Sequence, residues 1–213
     1  MLSGPILTGP SPLIRRPAIN DPAPALVKDD QAVCESLQQP LWHVVVLAVL
    51  TCSAYLFYWF YKNWRDLSAQ AGRAAGAGCQ LSRFENVSPL LRVIGLVVPV
   101  LNIYLAATQI KGIAELVPNS RSFPRRHPLL ASALVVGGII VLQLLSRLPG
   151  PLFLLSFSAC LPLACAQHWL NDYWRSVESP GLPVRYAFTI KEMVVIIAGS
   201  LWLGLVLAGF FLA

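Results

Sequence analysis

Charge is scarce in this chain: Asp, Glu, Lys and Arg make up only 12% of its 213 residues, against about 25% in soluble domains. Inside the long apolar runs acid is absent altogether, which removes the intramembrane carboxylate that marks a proton relay or an aspartyl protease. No H-E-x-x-H, G-x-S-x-G or Walker loop occurs, and His43, His127 and His168 stand apart without metal-ligand spacing. Cysteine pairs are missing too. Cys34, Cys52, Cys79, Cys160 and Cys165 form no C-x-x-C, so neither a zinc site nor a disulfide framework is indicated, and they read as small packing residues. The expectation is a chain that is not an enzyme and binds no cofactor or metal. A net charge of +6 does not point to nucleic acid, because the basic residues are scattered through loops and no basic helix carries them.

What is abundant is apolar: 56% of residues are hydrophobic, which places the chain among integral membrane proteins. Residues 1 to 39 are rich in proline, carry both charge signs and lack apolar periodicity, so they are expected to form a disordered tail. The start has no charged n-region followed by an apolar core, so a cleaved signal peptide is not expected and the first apolar run should serve as signal anchor. From Pro40 onward the chain reads as one membrane-embedded, all-α domain, 40 to 213. Predicted spans are 41–61, 128–146, 151–168 and 190–212, each close to the roughly 20 residues a crossing needs. The linker after the first span holds "AGRAAGAG", flexible by composition. Before the last span, Thr189 and Glu192 in "TIKEMVV" fit a capping box, with Phe188 placed to staple against Met193.

The segment 89–114 is the ambiguous one. Ser88 and Pro89 suit an N-cap and first helical position, but Pro99, Asn102, Thr108 and Gln109 interrupt its apolar run. Lys and Arg near the spans decide how it sits, because they concentrate on the cytoplasmic side. Lys62, Arg65, Arg73, Arg83 and Arg92 precede or open the segment, while Lys111, Arg121, Arg125 and Arg126 follow it. A full crossing would put these two richest linkers on opposite faces. A re-entrant or interfacial segment puts both inside with Arg175, Arg185 and Lys191, and leaves Lys28 and Arg147 outside. The expected architecture is therefore a polytopic helical bundle of four transmembrane helices plus a broken re-entrant or interfacial helix, both termini outside. Five transmembrane helices is the alternative.

"YLFYWFYKNWRD", residues 55 to 66, gathers aromatic and basic side chains where the first span would end. Tyr and Trp favour the headgroup level and Lys or Arg can snorkel to it, so Tyr58, Trp59, Tyr61, Lys62, Trp64 and Arg65 read as interface anchors. A cage for a cationic group or a docking surface for a membrane partner is the functional alternative. Asn63 is not explained by anchoring. Asn171, Trp174 and Arg175 echo the motif after the fourth span. Arg92, Asn102 and Gln109 are the polar groups near the core of the broken segment, expected to pair with neighbouring helices or to line a polar cavity. Small residues four apart, Ala133 with Gly137, Ser156 with Cys160 and Ala164, and Ser200 with Gly204 and Ala208, mark faces for packing within the bundle, or for a homo-oligomer.

"YLFYWFYKNWRDL" followed by "FENVSPLLRVIGLVVPVLNIYLAATQI" resembles a group of small prokaryotic multi-pass membrane proteins of unknown function. Tyr61, Lys62, Asn63, Trp64, Arg65, Ser88, Pro89, Arg92 and Pro99 match their recurring pattern, as do Phe188, Thr189 and Glu192 and, more loosely, the stretch from Gln167 to Asn171. Leu90 and Leu91 stand where the pattern has an aromatic residue before the arginine, so Arg92 has no stacking partner next to it in sequence. The resemblance implies a bacterial inner-membrane location and supplies no activity. The expected role is an uncharacterised, non-enzymatic structural or accessory component whose cytoplasmic rim contacts lipid or a partner; the alternative is a subunit of a small oligomeric transporter or channel.

Overall fold

A computed structural model of the protein describes residues 36–51, 53–73, 81, 84–85, 88–148 and 150–212. The expected disordered tail and the flexible centre of the first linker fall outside the described residues, apart from the tail's last four positions. Among the described residues there are helices and turns and no strand. Two stretches of the described residues are long and apolar enough to cross a bilayer, Pro128–Arg147 and Glu192–Gly209.

The predicted first span is two helices, not one. Helix α1 (Leu41–Leu50) stops after 10 residues, about 15 Å, half of a hydrocarbon core about 30 Å thick. Thr51 turns the chain: its Oγ1 donates to the Leu47 carbonyl (2.7 Å) and accepts from the Tyr55 amide (2.9 Å). Ser53 adopts a left-handed φ of 72°, a conformation that costs an L-residue roughly 1–2 kcal/mol. Its hydroxyl accepts from Gln143 Nε2 at 2.7 Å, which helps hold it there. Helix α2 (Tyr55–Arg73) then climbs back, because both Tyr55 and Lys62 reach the side chain of Gln39, the residue before Pro40. Residues 41–61 thus enter the bundle and return to the end they left. The reading of 41–61 as a through-going helix, with its two flanks on opposite faces, is corrected by that contact.

The 89–114 segment behaves similarly, as a hairpin. Helix α3 (Pro89–Gly95) starts with Pro89 in the first turn and Ser88 as N-cap, although the Ser88 side chain makes no capping bond. Helix α4 (Pro99–Leu116) restarts at Pro99, because proline disfavours helical backbone in the residue before it and Val98 is extended. Gly95 lets the two helices close: a Cβ there would lie 2.7 Å from Leu105 Cδ1. The far end of α4 leads to Val117 and Asn119, which share a cleft with Asp172 and Arg175.

Helix α5 (Phe123–Arg126) is one turn. Helix α6 (Pro128–Leu144) packs antiparallel to α4, with Ser132 Oγ donating to the Ala107 carbonyl at 2.7 Å. Short 3-10 helices at Leu145–Arg147 and Gly150–Ala159 turn the chain into α7 (Cys160–Val177), so the predicted span 151–168 is only half α-helical. Helix α8 (Ile190–Leu212) opens on the expected capping box: the Thr189 amide donates to Glu192 Oε2 (2.8 Å) and the Glu192 amide to Thr189 Oγ1 (3.3 Å). Phe188 does not staple as expected. Its ring stacks on His43 at 4.2 Å, while Met193 is exposed.

On α6 and α8 the close small-residue contacts fall one position from those expected. Gly199 meets the Leu50 carbonyl, where a Cβ would approach to 2.6 Å, and Gly138 meets Pro162. A Cβ added at Gly137 or Gly204 would meet no neighbouring atom within 4 Å among the described residues. Ser156 and Cys160 are buried as expected.

The core joins α1, α2, α4, α6 and α7 through Leu47, Trp59, Trp64, Ile110, Ile113 and Leu163. Outside it lies an apolar exterior: Val100 is 81% exposed, Leu129 71% and Leu205 70%. Large aliphatic side chains thus lie outside as well as inside, and the exposed ones on α3, α4, α6 and α8 exceed the scattered apolar residues of an ordinary soluble surface. Gln39, Lys62, the last turns of α4 and α7 and the first turn of α8 meet at one end of the bundle, the basic end. Ser53, Gln143 and Arg147 lie toward the other.

Candidate functional site

Gln39 is the hub of the basic end. Its backbone amide donates to Asn171 Oδ1 (3.1 Å) and its carbonyl accepts from Asn171 Nδ2 (2.8 Å), so the asparagine side chain pairs with it as a neighbouring strand would. Its side chain donates to the Tyr55 hydroxyl (2.8 Å) and accepts from Lys62 Nζ (3.1 Å). Gln167 extends the network, donating to Asn171 Oδ1 (2.8 Å) and accepting from Trp59 Nε1 (2.7 Å). Each of these groups is buried or nearly so, and each of these bonds satisfies a group that would be costly to leave unpaired. Directly after α7, Glu178 accepts from the Leu37 amide, Ser36 Oγ and Gln38 Nε2, so residues 36–39 form a strap tied across the bundle end.

Beside the strap lies a cavity of about 710 Å³, lined by Gln38, Tyr58, Lys62, Arg65 and Asp66 and, from the entry to α8, by Arg185 and Glu192. Its charges are unevenly matched. Arg65 pairs with Asp66 at 2.9 Å, and Arg185 holds Glu192 with bonds of 2.9 and 3.0 Å. Lys62 has only the Gln39 oxygen; no carboxylate among the described residues forms an ion pair with it. Burial pulls the Lys62 ammonium below its ordinary pKa, with Asp66 opposing. The cavity carries an excess positive charge, and that excess sits on Lys62.

A narrower slot of about 280 Å³ adjoins it between α1, α2 and α8, lined by Leu47, Thr51, Ala54, Tyr55 and Val195. Tyr58 and Glu192 line both spaces. A third hollow, about 620 Å³, opens toward the other end among α2, α4 and α6; Ser53, Asn102, Gln143 and Arg147 supply its polar groups.

Position by position, the aromatic cluster is not the array of interface anchors that composition suggests. Trp59, Trp64 and Trp174 are core residues, each 2% exposed or less. The reason is the period of α2: Tyr55, Trp59, Phe60, Asn63, Trp64 and Leu67 fall on its buried face. Tyr58 is exposed at the cavity mouth, Tyr61 is half-buried, and Lys62 and Arg65 line the cavity. Asn171 belongs to the same network; Arg175 lies apart, exposed beside Asp172. The echo between Asn63 and Asn171 does not extend to their bonding. Asn171 is fully paired, whereas Asn63 is buried with its Nδ2 unpartnered among the described residues.

The broken-helix trio is not brought together. Arg92 gains the stacking partner its sequence neighbours lack, lying 5.8 Å from the centre of the Trp64 ring. Asn102 faces the third hollow. Gln109 is sealed in the core, Nε2 donating to the Phe60 carbonyl at 3.3 Å and Oε1 without a partner among the described residues. Sequence reasoning missed Gln39, Gln167, Glu178 and Arg185. Gln39 and Gln167 carried a signal, each a polar residue at the edge of an apolar run; Glu178 and Arg185 look like ordinary loop charges. No group of three or more His, Cys, Asp or Glu among the described residues could hold a metal ion.

Comparison with known proteins gives a family match. Residues 39–160, more than half of the chain, fit a family described as a domain of unknown function, DUF4234. No curated protein and no solved structure matches the chain. The matched region begins at Gln39 and includes Trp59, Lys62, Trp64, Arg92 and Pro99, while Asn171, Arg185 and Glu192 lie beyond it. The chain belongs to the DUF4234 family.

Proposed function

We propose that the protein is a bacterial inner-membrane protein with a non-enzymatic, accessory role, holding lipid or a membrane partner at its basic end. The observation that carries this reading is the apolar exterior: large aliphatic side chains outside, with a paired polar network and a cationic cavity gathered at one end. α6, α7 with its 3-10 lead-in, and α8 cross the bilayer, and the α1–α2 and α3–α4 hairpins enter it and return. Residues 36–40, 117–127 and 178–189 then lie on one face, and Arg147 is the basic residue left opposite. The positive-inside rule makes the basic face cytoplasmic. This arrangement has three crossings, with the strap inside and the C-terminus outside, in place of four crossings with both termini outside.

Transport through the broken segment is the weaker reading, since it needs Asn102 and Gln109 on one wet path and they face different surroundings. Two measurements test the proposal. The tagged chain should stay in membranes washed with alkaline carbonate and should co-purify with a stoichiometric lipid or membrane protein. Release by carbonate, or substrate flux through liposomes holding the chain alone, would refute it.

A further inference from the structure

We infer that the basic-end cavity and the adjoining slot form one binding site for an anionic, single-chain amphiphile, its acidic headgroup on Lys62 and its alkyl chain between α1, α2 and α8. Four features carry this. Of the three cations lining the cavity, Arg65 and Arg185 are already neutralised by Asp66 and Glu192, so a single unmatched cation remains for a ligand. Next to that cation, through Tyr58, the lining changes from polar to apolar: Leu47, Ala54 and Val195 replace Gln38, Lys62 and Arg185. The slot also has a direction. It runs from Glu192 in the first turn of α8 to Thr51 at the tip of the α1–α2 hairpin, walled on the α1 side by the single turn from Leu47 to Thr51. Finally, the slot is bounded by only three helices, and two of its walls are set by fixed features. Gly199 holds α8 close to α1 at Leu50, and the Thr51 turn holds α1 to α2.

A free inorganic anion would use Lys62 and leave the slot empty, while a neutral amphiphile would bury its chain and leave Lys62 unpaired. Only a ligand with both parts uses both features. The headgroup chemistry is a phosphate monoester or carboxylate, small enough to reach a half-buried ammonium, and the chain is one unbranched alkyl. This inference rests on the bilayer-embedded reading for its source of ligand, but not for its chemistry, which can be measured in detergent.

The test is native mass spectrometry of the purified full chain in a neutral detergent, titrated with dodecyl phosphate. Dodecylphosphocholine, with the same chain and no net charge, and inorganic phosphate, with no chain, are titrated alongside. One equivalent of dodecyl phosphate should bind saturably, at least about tenfold more tightly than either comparator. Lys62→Gln should weaken it by about tenfold or more, Lys62→Arg should restore most of the affinity, and Val195→Trp should weaken it by filling the slot from its exposed edge. Thermal melts of each variant separate loss of binding from loss of fold, and the wild-type comparison stands even if a variant fails to fold. Equal binding of dodecyl phosphate and dodecylphosphocholine would overturn the headgroup assignment; inorganic phosphate binding as tightly would overturn the chain assignment. Affinity unchanged in folded Lys62→Gln would overturn the site. Carbonate release with dodecyl phosphate still bound would refute the membrane reading and leave this one standing.

Discussion

Replacing Asn171 by alanine should be among the most damaging single changes at the basic end, although the residue lies outside the family match and contributes no apolar packing. Its side chain makes three bonds, to the Gln39 amide, the Gln39 carbonyl and Gln167 Nε2, at 3.1, 2.8 and 2.8 Å. Truncation leaves all three partners without a mate in a buried setting. An unsatisfied buried polar group costs about 1–3 kcal/mol, while hydrogen bonds measured inside membrane proteins average about 0.6 kcal/mol. Three groups, partly rewetted from the adjoining cavity, give a loss of about 2–4 kcal/mol, or roughly 30- to 1,000-fold in the folding equilibrium. Unfolding of the purified protein by SDS in mixed micelles reads this directly, and amide exchange at Gln39 localises it. Asn63→Leu is the control. Its Nδ2 has no partner to lose among the described residues, so an apolar side chain of similar size should be neutral or stabilise by about 1 kcal/mol. A cost for Asn171→Ala below about 0.5 kcal/mol, or a larger cost for Asn63→Leu, would refute the assignment of the network.

Three further outcomes follow from the same contacts. Trp59→Phe keeps the buried ring but removes the Nε1 donor to Gln167, and should cost about 1–3 kcal/mol in the same SDS titration. Gly199→Ala places a methyl 2.6 Å from the Leu50 carbonyl and should lower stability by about 1–3 kcal/mol, whereas Gly204→Ala, with open space around it, should shift it by less than about 0.5 kcal/mol. Glu178→Ala should release the strap, speeding exchange at the Leu37 amide about tenfold or more while leaving amides in the middle of α6 unchanged.

The helices themselves were legible in the sequence, because Pro89, Pro99 and Pro128 each begin one and the Thr189–Glu192 box begins another. So was the interruption of 89–114, at Pro99. The first hairpin was not legible. Nothing in "LWHVVVLAVLTCSAYLFYWFY" breaks a helix by composition; the turn is set by Thr51 capping Tyr55 and by Ser53 held in a left-handed conformation, with Gln143 bonded to it from 90 positions away. For the same reason the aromatic cluster was assigned to the interface. Aromatic and basic residues at the end of an apolar run have that composition whether the helix leaves the membrane or folds back, and only the return of α2 puts Trp59 and Trp64 in the core. Within the candidate site, Lys62 and Arg65 were visible as charges, but which of them is paired depends on Asp66, Gln39 and an α8 entry more than a hundred residues distant.

The account depends most on the α1–α2 hairpin returning to the face it entered, and native cysteines can test that. In a variant retaining only Cys34, and in another retaining only Cys79, an impermeant maleimide added to intact cells should label neither until the membrane is permeabilised. A cysteine introduced at Leu148, between α6 and α7, should label at once. Labelling of Cys34 in intact cells, with Cys79 protected, would put the two flanks of residues 41–61 on opposite faces and contradict the hairpin.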